Sequence, residues 1–399
     1  MSIINFVGQF LKDKGYEKTF AQLELEYGKP IKTDITSLPT EETLEEILHD
    51  RINFKSMTNI EHDSFNHWKT PYPHHISNEI FVGETIVSIE LLKDILLIST
   101  AKQKLILMKF NGDILNVYEK LIGVVIKKII TDGEKFVFVG GMDGKIYKFE
   151  YKDNELVKVD EVKVHRRLIV DMKYIDGYVL TLGFEKLVKL IDSKDLKEVS
   201  SLETMNSPVS IDGVSINNEI IAAVGYTDNT LIDIFKLTNN SERLYKLSIS
   251  DAEFSTSNFT PRSIHFKQGD DLQLAIGTSH EPYMRVIIVS VDMGNPGADQ
   301  PDEVQPGAEP TKIIRNKIIK NILTMSPQDK YSVPFIKWRQ DSDGIWVGGD
   351  DGKIRGINLC NDEIIEIVGH DSNIKWLTSV NNGDNLVTVG DDRLIKIWK

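Results

Sequence analysis

Two periodicities divide the chain. Up to about residue 56 apolar positions recur at helical spacing, and from about residue 76 they come in short runs of strand length. In "MSIINFVGQFLKDKG", Ile3, Phe6, Val7, Phe10 and Leu11 fill one helical face, and Gly15 follows as a stop signal. "YEKTFAQLELEYG" places Phe20, Leu23 and Tyr27 on one face and ends at Gly28, with Pro30 beyond it. A third helix is expected at about 41–54. Thr40 would cap it, Glu41, Glu42, Glu45 and Glu46 suit its first turns, and Leu44, Ile47, Leu48 and Ile52 form its stripe. Helices of about 12 residues are not stable alone in water, so the aromatic stripes need a cover. Either the rest of the chain or a second copy supplies it.

From residue 76 the runs are paired. "DILLIST", "KFVFVGG", "GYVLTLG", "EIIAAVG", "LQLAIGT", "GIWVGG" and "NLVTVG" each lead through a turn to a second run, such as "KIYKFE", "KLVKLID" or "LIKIWK". The repeat is about 40 residues, the period of a propeller blade. Seven units start near residues 84, 122, 162, 207, 259, 333 and 369. Asp143-Gly144 and Asp351-Gly352 sit where a tight hairpin wants positive φ.

Both halves resemble known families. "IINFVGQFLKDKGYEKTFAQLELEYG" resembles the LisH motif in its Phe10-Leu11 pair, Gly15-Tyr16, Thr19-Phe20 and the acidic helix that follows. The resemblance covers residues 3–28 and implies a helical homodimer built on Phe6, Phe10, Leu11, Tyr16, Phe20 and Leu23. The last unit, "VGHDSNIKWLTSVNNGDNLVTVGDDRLIKIWK", resembles the WD repeat. On that template His370, Thr388, Asp392 and Trp398 occupy the four positions of a hydrogen-bonded structural tetrad. Imidazole, hydroxyl, carboxylate and indole N–H can satisfy one another there. Other units depart: Phe149 and Ile357 stand at the Trp position, and Glu185 replaces the turn Asp in the third unit, where His165 and Thr181 remain.

The expected architecture is therefore an all-β seven-bladed WD-repeat β-propeller behind an N-terminal α-helical LisH-like dimerisation module. Residues 1–35 form the hairpin, 36–76 the third helix and connector, and 77–399 the propeller. "LIKIWK" reads as the third strand of the last blade, which leaves its outer edge unpaired. The segment "SNEIFVG" (77–83) is expected to supply the missing strand and close the ring. A Pro-, Gly- and acid-rich stretch, residues 292–310, reads as a surface loop inserted in the fifth unit.

Composition narrows the function. The net charge is −13, which disfavours direct nucleic-acid binding. Lys312, Arg315, Lys317 and Lys320 form the densest basic strip, read as a solvated strand face. No apolar run reaches membrane-helix length, and no secretory signal is seen. With Cys360 as the single cysteine, no internal disulfide forms, in keeping with a cytoplasmic or nuclear setting.

Candidate chemistry is sparse. The Ser99–Lys102 spacing of an acyl-enzyme motif falls in a blade turn. "GGMDGK" and "GGDDGK" lack the spacing of a phosphate loop. His74-His75 are expected to point apart, with no third metal ligand nearby. The inner-strand segments carry few acid or base groups, Asp171 and His265 being the exceptions. No catalytic residue, metal site or cofactor is expected. The expectation is a non-enzymatic scaffold that homodimerises and binds protein partners, with no membrane and no direct nucleic acid. The resemblance implies three settings: dynein and microtubule regulation of the lissencephaly-protein type, ubiquitin-ligase assembly, or transcriptional corepression. A propeller hydrolase with a site in the central channel is the alternative of another class.

Overall fold

In each repeat the second strand is apolar at nearly every position because both its faces are covered. Residues Ile95–Thr100 are buried throughout, as are Gln273–Thr278 and Gly344–Gly348. Inner strands bury every third or so residue, and outer strands such as Glu198–Glu203 expose most of theirs. This is the signature of small sheets stacked face to face.

The computed structural model describes residues 3–33 and 72–399, apart from 239–240, 251–258, 268–271, 293–312, 316, 340–342 and 381–384. The side chains of Ile3 and Phe6 are also outside the described set. The expected helix at 41–54 and the insertion beyond Asp292 lie outside these residues. No described helix is long and apolar enough to cross a membrane.

The chain divides into residues 1–60 and residues 61–399. The first unit holds α1 (Ile3–Asp13) and α2 (Glu17–Tyr27). Gly15 (φ 75°) and Gly28 (φ 70°) adopt the left-handed conformation that ends a helix. The Gly28 N–H closes on the Glu24 carbonyl at 3.0 Å. A Cβ at Gly8 would lie 2.5 Å from Ile31 Cγ2 and 3.2 Å from the Phe20 ring. Glycine there lets the following segment seat Ile31, which is 6% exposed.

The second unit is a seven-bladed propeller. Its first strand, β1 (Ile76–Phe81), belongs to the last blade. Blade 1 holds β2 (Ile86–Leu92), β3 (Ile95–Thr100), β4 (Lys104–Lys109) and β5 (Ile114–Glu119). Blades 2 and 3 run β6 (Ile126–Thr131) to β9 (Glu155–Lys163) and β10 (Ile169–Ile175) to β13 (Glu198–Glu203). Blade 4 runs β14 (Pro208–Ile216) to β17 (Glu242–Ser248). Blade 5 has β18 (Pro261–Phe266), β19 (Gln273–Thr278), β20 (Tyr283–Ser290) and β22 (Ile318–Pro327). Blade 6 spans β23 (Phe335–Trp338) to β26 (Ile364–Val368), and blade 7 has β27 (Ile374–Val380), β28 (Asn385–Gly390) and β29 (Leu394–Trp398).

Seven hydrophobic clusters lie between these sheets, each joining two neighbouring blades. Blade 7 meets blade 1 through Val387, Val389 and Ile395 against Ile89, Leu96 and Ile98. The core is thus divided around the ring, with one packed layer at every junction.

The last blade takes its outer strand from upstream. β1 pairs antiparallel with β29, with Ile76 opposite Trp398 and Phe81 opposite Leu394. The main chain of Lys399 continues the pairing, donating to the His75 carbonyl at 2.8 Å. One strand was not foreseen: β21 (Ile313–Ile314) returns from the insertion of blade 5 and adds in parallel to β17 of blade 4. It covers part of an outer edge that would otherwise stand open.

Because the four main strands of every blade are antiparallel, their loops alternate between the two ends of the ring. Loops from second to third strand, and from outer strand to the next inner strand, share one end, here termed the upper rim.

Candidate functional site

The four predicted tetrad residues meet at the upper rim of blade 7. His370 Nε2 lies 2.8 Å from Thr388 Oγ1, and its Nδ1 lies 2.9 Å from Asp392 Oδ2. Trp398 Nε1 donates to Thr388 Oγ1 at 2.9 Å. Since the indole can only donate, the Thr388 hydroxyl is left to donate to Nε2, and Nδ1–H then faces the carboxylate. Burial lowers the His370 pKa and Asp392 only partly offsets it, which agrees with a neutral ring. Thr388 is 0% exposed, so its hydroxyl ties strands together and meets no solvent. A Cβ at Gly390 would lie 2.6 Å from His370 Nδ1, so the ring needs glycine beneath it.

Blade 3 repeats the arrangement with a longer acid. His165 Nδ1 is 2.9 Å from Glu185 Oε1, and Nε2 is 2.9 Å from Thr181 Oγ1. Ile191 stands where blade 7 has its indole, and the Thr181 hydroxyl also lies 3.3 Å from the Lys189 carbonyl. Blades 2 and 6 solve the problem differently. The turn residue Asp143 accepts from the Tyr147 hydroxyl at 2.7 Å, and Asp351 accepts from the Arg355 guanidinium at 2.7 and 2.9 Å. Tyrosine or arginine four residues on thus takes the place of the missing histidine. That four-residue spacing is visible in the sequence.

The central channel holds a second polar system. Lys128 on β6 pairs with Asp171 on β10 at 2.9 Å. Asp171 accepts the Ile211 N–H of β14 at 3.3 Å. Asp212 on β14 faces Lys173 at 3.5 Å, His265 Nδ1 of β18 at 3.5 Å, and accepts the Phe266 N–H at 2.8 Å. Trp338 of β23 donates to the His265 carbonyl at 2.9 Å, and Lys337 donates to Thr378 of β27 at 2.6 Å. These contacts step from one inner strand to the next.

Burial would raise the Asp212 carboxyl, but Lys173 and His265 outweigh it and hold it well below the carboxylate range. Burial and the Lys173 charge push His265 down to about 4. Burial also lowers Lys337. Asp171 and His265, the two inner-strand groups singled out from sequence, are not brought together; each is tied to a different neighbour. Lys128, Lys173, Asp212 and Lys337 were missed, because strand alternation shows a face but not the residue opposite it on the next blade.

The proposed dimer residues lie on the helical pair. Phe10, Leu11, Phe20 and Leu23 are half-buried, Tyr16 is 55% exposed, and no residue of α2 is buried. In the basic strip, Lys317 is paired with Asp292 at 2.7 Å and Lys320 with Asp362 at 2.5 Å. Arg315 stands just after β21, and Lys312 lies outside the described residues.

The remaining sequence candidates separate. Ser99 is buried and bound to the Ser88 main chain, whereas Lys102 is exposed and faces Glu84. The His74 and His75 rings do not point apart as expected. Their centroids are 3.9 Å apart, because they precede β1 and a bend at His75 replaces strand alternation. They line a cleft of about 630 Å³ with Tyr72, Glu366 and Trp398. No cluster of three metal-binding side chains occurs among the described residues.

Large apolar side chains stand exposed on the upper rim. Phe184 is 46% exposed, Met205 70%, Tyr331 76% and Val333 65%.

Comparison with known proteins agrees with the fold. The chain is 25% identical over 417 aligned positions to the uncharacterised protein YGR117C of Saccharomyces cerevisiae, covering 87% of this chain and 85% of that one. Residues 49–399 match the family described as "UCP007778, beta-propeller domain". With that match spanning most of its length, the chain belongs to this beta-propeller family.

Proposed function

We propose that the protein is a non-enzymatic interaction scaffold. In this reading residues 1–35 are a LisH-type module that pairs two chains, and the propeller, of WD-repeat type, presents its upper rim to protein partners. The observation that carries it is the stripe of the helical hairpin, only half-covered among the described residues. α2 buries none of its residues, while Phe20 and Leu23 stay half-exposed. Two 11-residue helices do not hold such a stripe in water without a cover, and a second copy supplies a self-complementary one. The apolar side chains on the upper rim support the second half of the reading, since exposed apolar groups on one face suit partner contact. The channel supports it as well. Its carboxylates Asp171 and Asp212 are engaged by lysines and main-chain N–H groups on neighbouring strands, a use that tightens a ring.

Pairing two propellers makes two weak contacts avid by effective concentration. The setting is a cytoplasmic or nuclear multiprotein complex, with motor regulation, ubiquitin ligation and corepression as the settings that LisH/WD-repeat resemblance implies. Affinity purification of the intact protein beside a chain lacking residues 1–35, followed by mass spectrometry, tests this. Partners held by the intact protein and lost or depleted without the module are expected. An identical partner set from both would overturn the avidity argument.

A further inference from the structure

The upper rim at the junction of blades 2 and 3 gathers basic side chains in a protein whose net charge is −13. Four cations converge there from two connections, Lys163, Arg166 and Arg167 from the end of β9 and the loop after it, and Lys186 from the loop between β11 and β12. Lys163 donates to the Asp143 carbonyl at 2.6 Å, and Lys186 to the Met205 carbonyl at 2.8 Å. Among the described residues none of the four has a carboxylate within ion-pair distance. The acids nearby are already engaged. Glu185 takes His165 and the main-chain N–H groups of Arg166 and Arg167, Glu161 takes Lys145 and Lys158, and Asp143 takes Tyr147.

Apolar surface lies in the same place. The Arg167 guanidinium stacks over the Phe184 ring at 4.3 Å from its centroid. Phe184 is 46% exposed, with Met142 (48%) and Met205 (70%) on the flanking loops. The loops touch: a Cβ at Gly144 would lie 2.3 Å from the Arg167 carbonyl oxygen. Stacking on Phe184 fixes the guanidinium plane and leaves its N–H edges free for a planar, bidentate acceptor.

We propose that this patch binds an acidic peptide segment whose carboxylates flank a large apolar side chain. The carboxylates pair with Arg166 and Arg167, and the apolar residue packs on Phe184 and Met205. Charge complementarity argues for that partner, and the exposed ring and thioethers argue against a bare anion, which would leave them wet. The proposal rests on the scaffold reading and names the partner chemistry of its upper rim.

The test uses the full-length protein and fluorescence anisotropy. The probe is a short labelled peptide in which two glutamate pairs flank one phenylalanine. Saturable binding is expected, weakening as salt rises from about 50 to about 300 mM. Replacing the glutamates by glutamine, or the phenylalanine by serine, should weaken it at least about tenfold. Arg167→Ala and Phe184→Ala should each do the same with melting temperature unchanged, since both side chains are exposed. Tyr331→Ala, elsewhere on the rim, should bind as the wild type does. Binding lost in Tyr331→Ala but kept in the two patch variants would overturn this patch and leave the scaffold reading standing. No saturable binding, tighter binding of a phosphoserine version than of the glutamate peptide, or equal binding of an RNA oligonucleotide would overturn the proposal.

Discussion

The Ser77 hydroxyl donates to the Ile397 carbonyl at 3.0 Å, joining positions 320 residues apart in the chain. The bond lies in the β1–β29 pairing that seals the last blade. The same strand reaches blade 1, where Asn78 donates to the Phe110 carbonyl at 2.9 Å. Closure therefore fastens three elements at once: the upstream segment, blade 7 and blade 1.

Removing residues 395–399 should abolish the cooperative unfolding transition rather than lower it by a few degrees. Ile395 and Trp398 leave the two clusters that flank blade 7, and β1 loses its partner. Circular dichroism melting checks this; a sharp transition near the wild-type temperature would contradict it.

Thr388→Val keeps the shape of the tetrad but removes its central hydroxyl. The buried indole N–H and His370 Nε2 lose their partner together. The expected loss is about 2–3 kcal/mol, read from urea unfolding. Gly390→Ala should also destabilise, since its Cβ would press on the His370 ring.

Stability should fall as pH drops from about 6.5 to about 4. The folded pKa of His265 is lowered to about 4, and those of His165 and His370 are lowered as well. In that window the unfolded chain binds more protons than the folded one, so acid favours unfolding. His265 alone contributes at most about 3 kcal/mol, fully present above the unfolded pKa and lost once pH passes below the folded one. The ring faces Asp212 of β14, with the Lys173 and Lys337 charges opposing its protonation and the Phe335 ring beside it. Urea midpoints for the wild type and His265→Gln across this range check it: the variant should show a flatter profile.

Lys128→Met should cost about 1–2 kcal/mol, because it takes the ammonium from the half-buried Asp171 carboxylate, which keeps the Ile211 N–H. Adding Asp171→Leu should restore much of the loss. A double-mutant cycle on urea unfolding shows whether the two effects are coupled; simple additivity would contradict it.

The sequence revealed strands according to how they are buried. β3 and β19 read clearly because both faces are covered and the run is nearly all apolar. Outer strands such as β13, "EVSSLE", carry almost no apolar signal, since most of that strand faces water. The closing role of β1 was legible only through the logic of an unpaired edge. The parallel addition of β21 was not, because two residues after a long insertion have no period. Within the site, His370, Thr388, Asp392 and Trp398 were legible from a local template. Asp171 was legible as an inner-strand carboxylate but its pairing with Lys128 was not, as that depends on the angle between neighbouring blades.

The central functional claim is that two chains join through their N-terminal helices. Light scattering coupled to size exclusion tests it most directly, on the wild type and on Phe10→Asp and Phe20→Asp, which place a charge in the proposed interface. The account predicts about twice the 45.3 kDa chain mass for the wild type and the single-chain mass for both variants, each retaining the propeller's melting transition. A wild type at the single-chain mass, or variants that stay at twice it, would contradict the account.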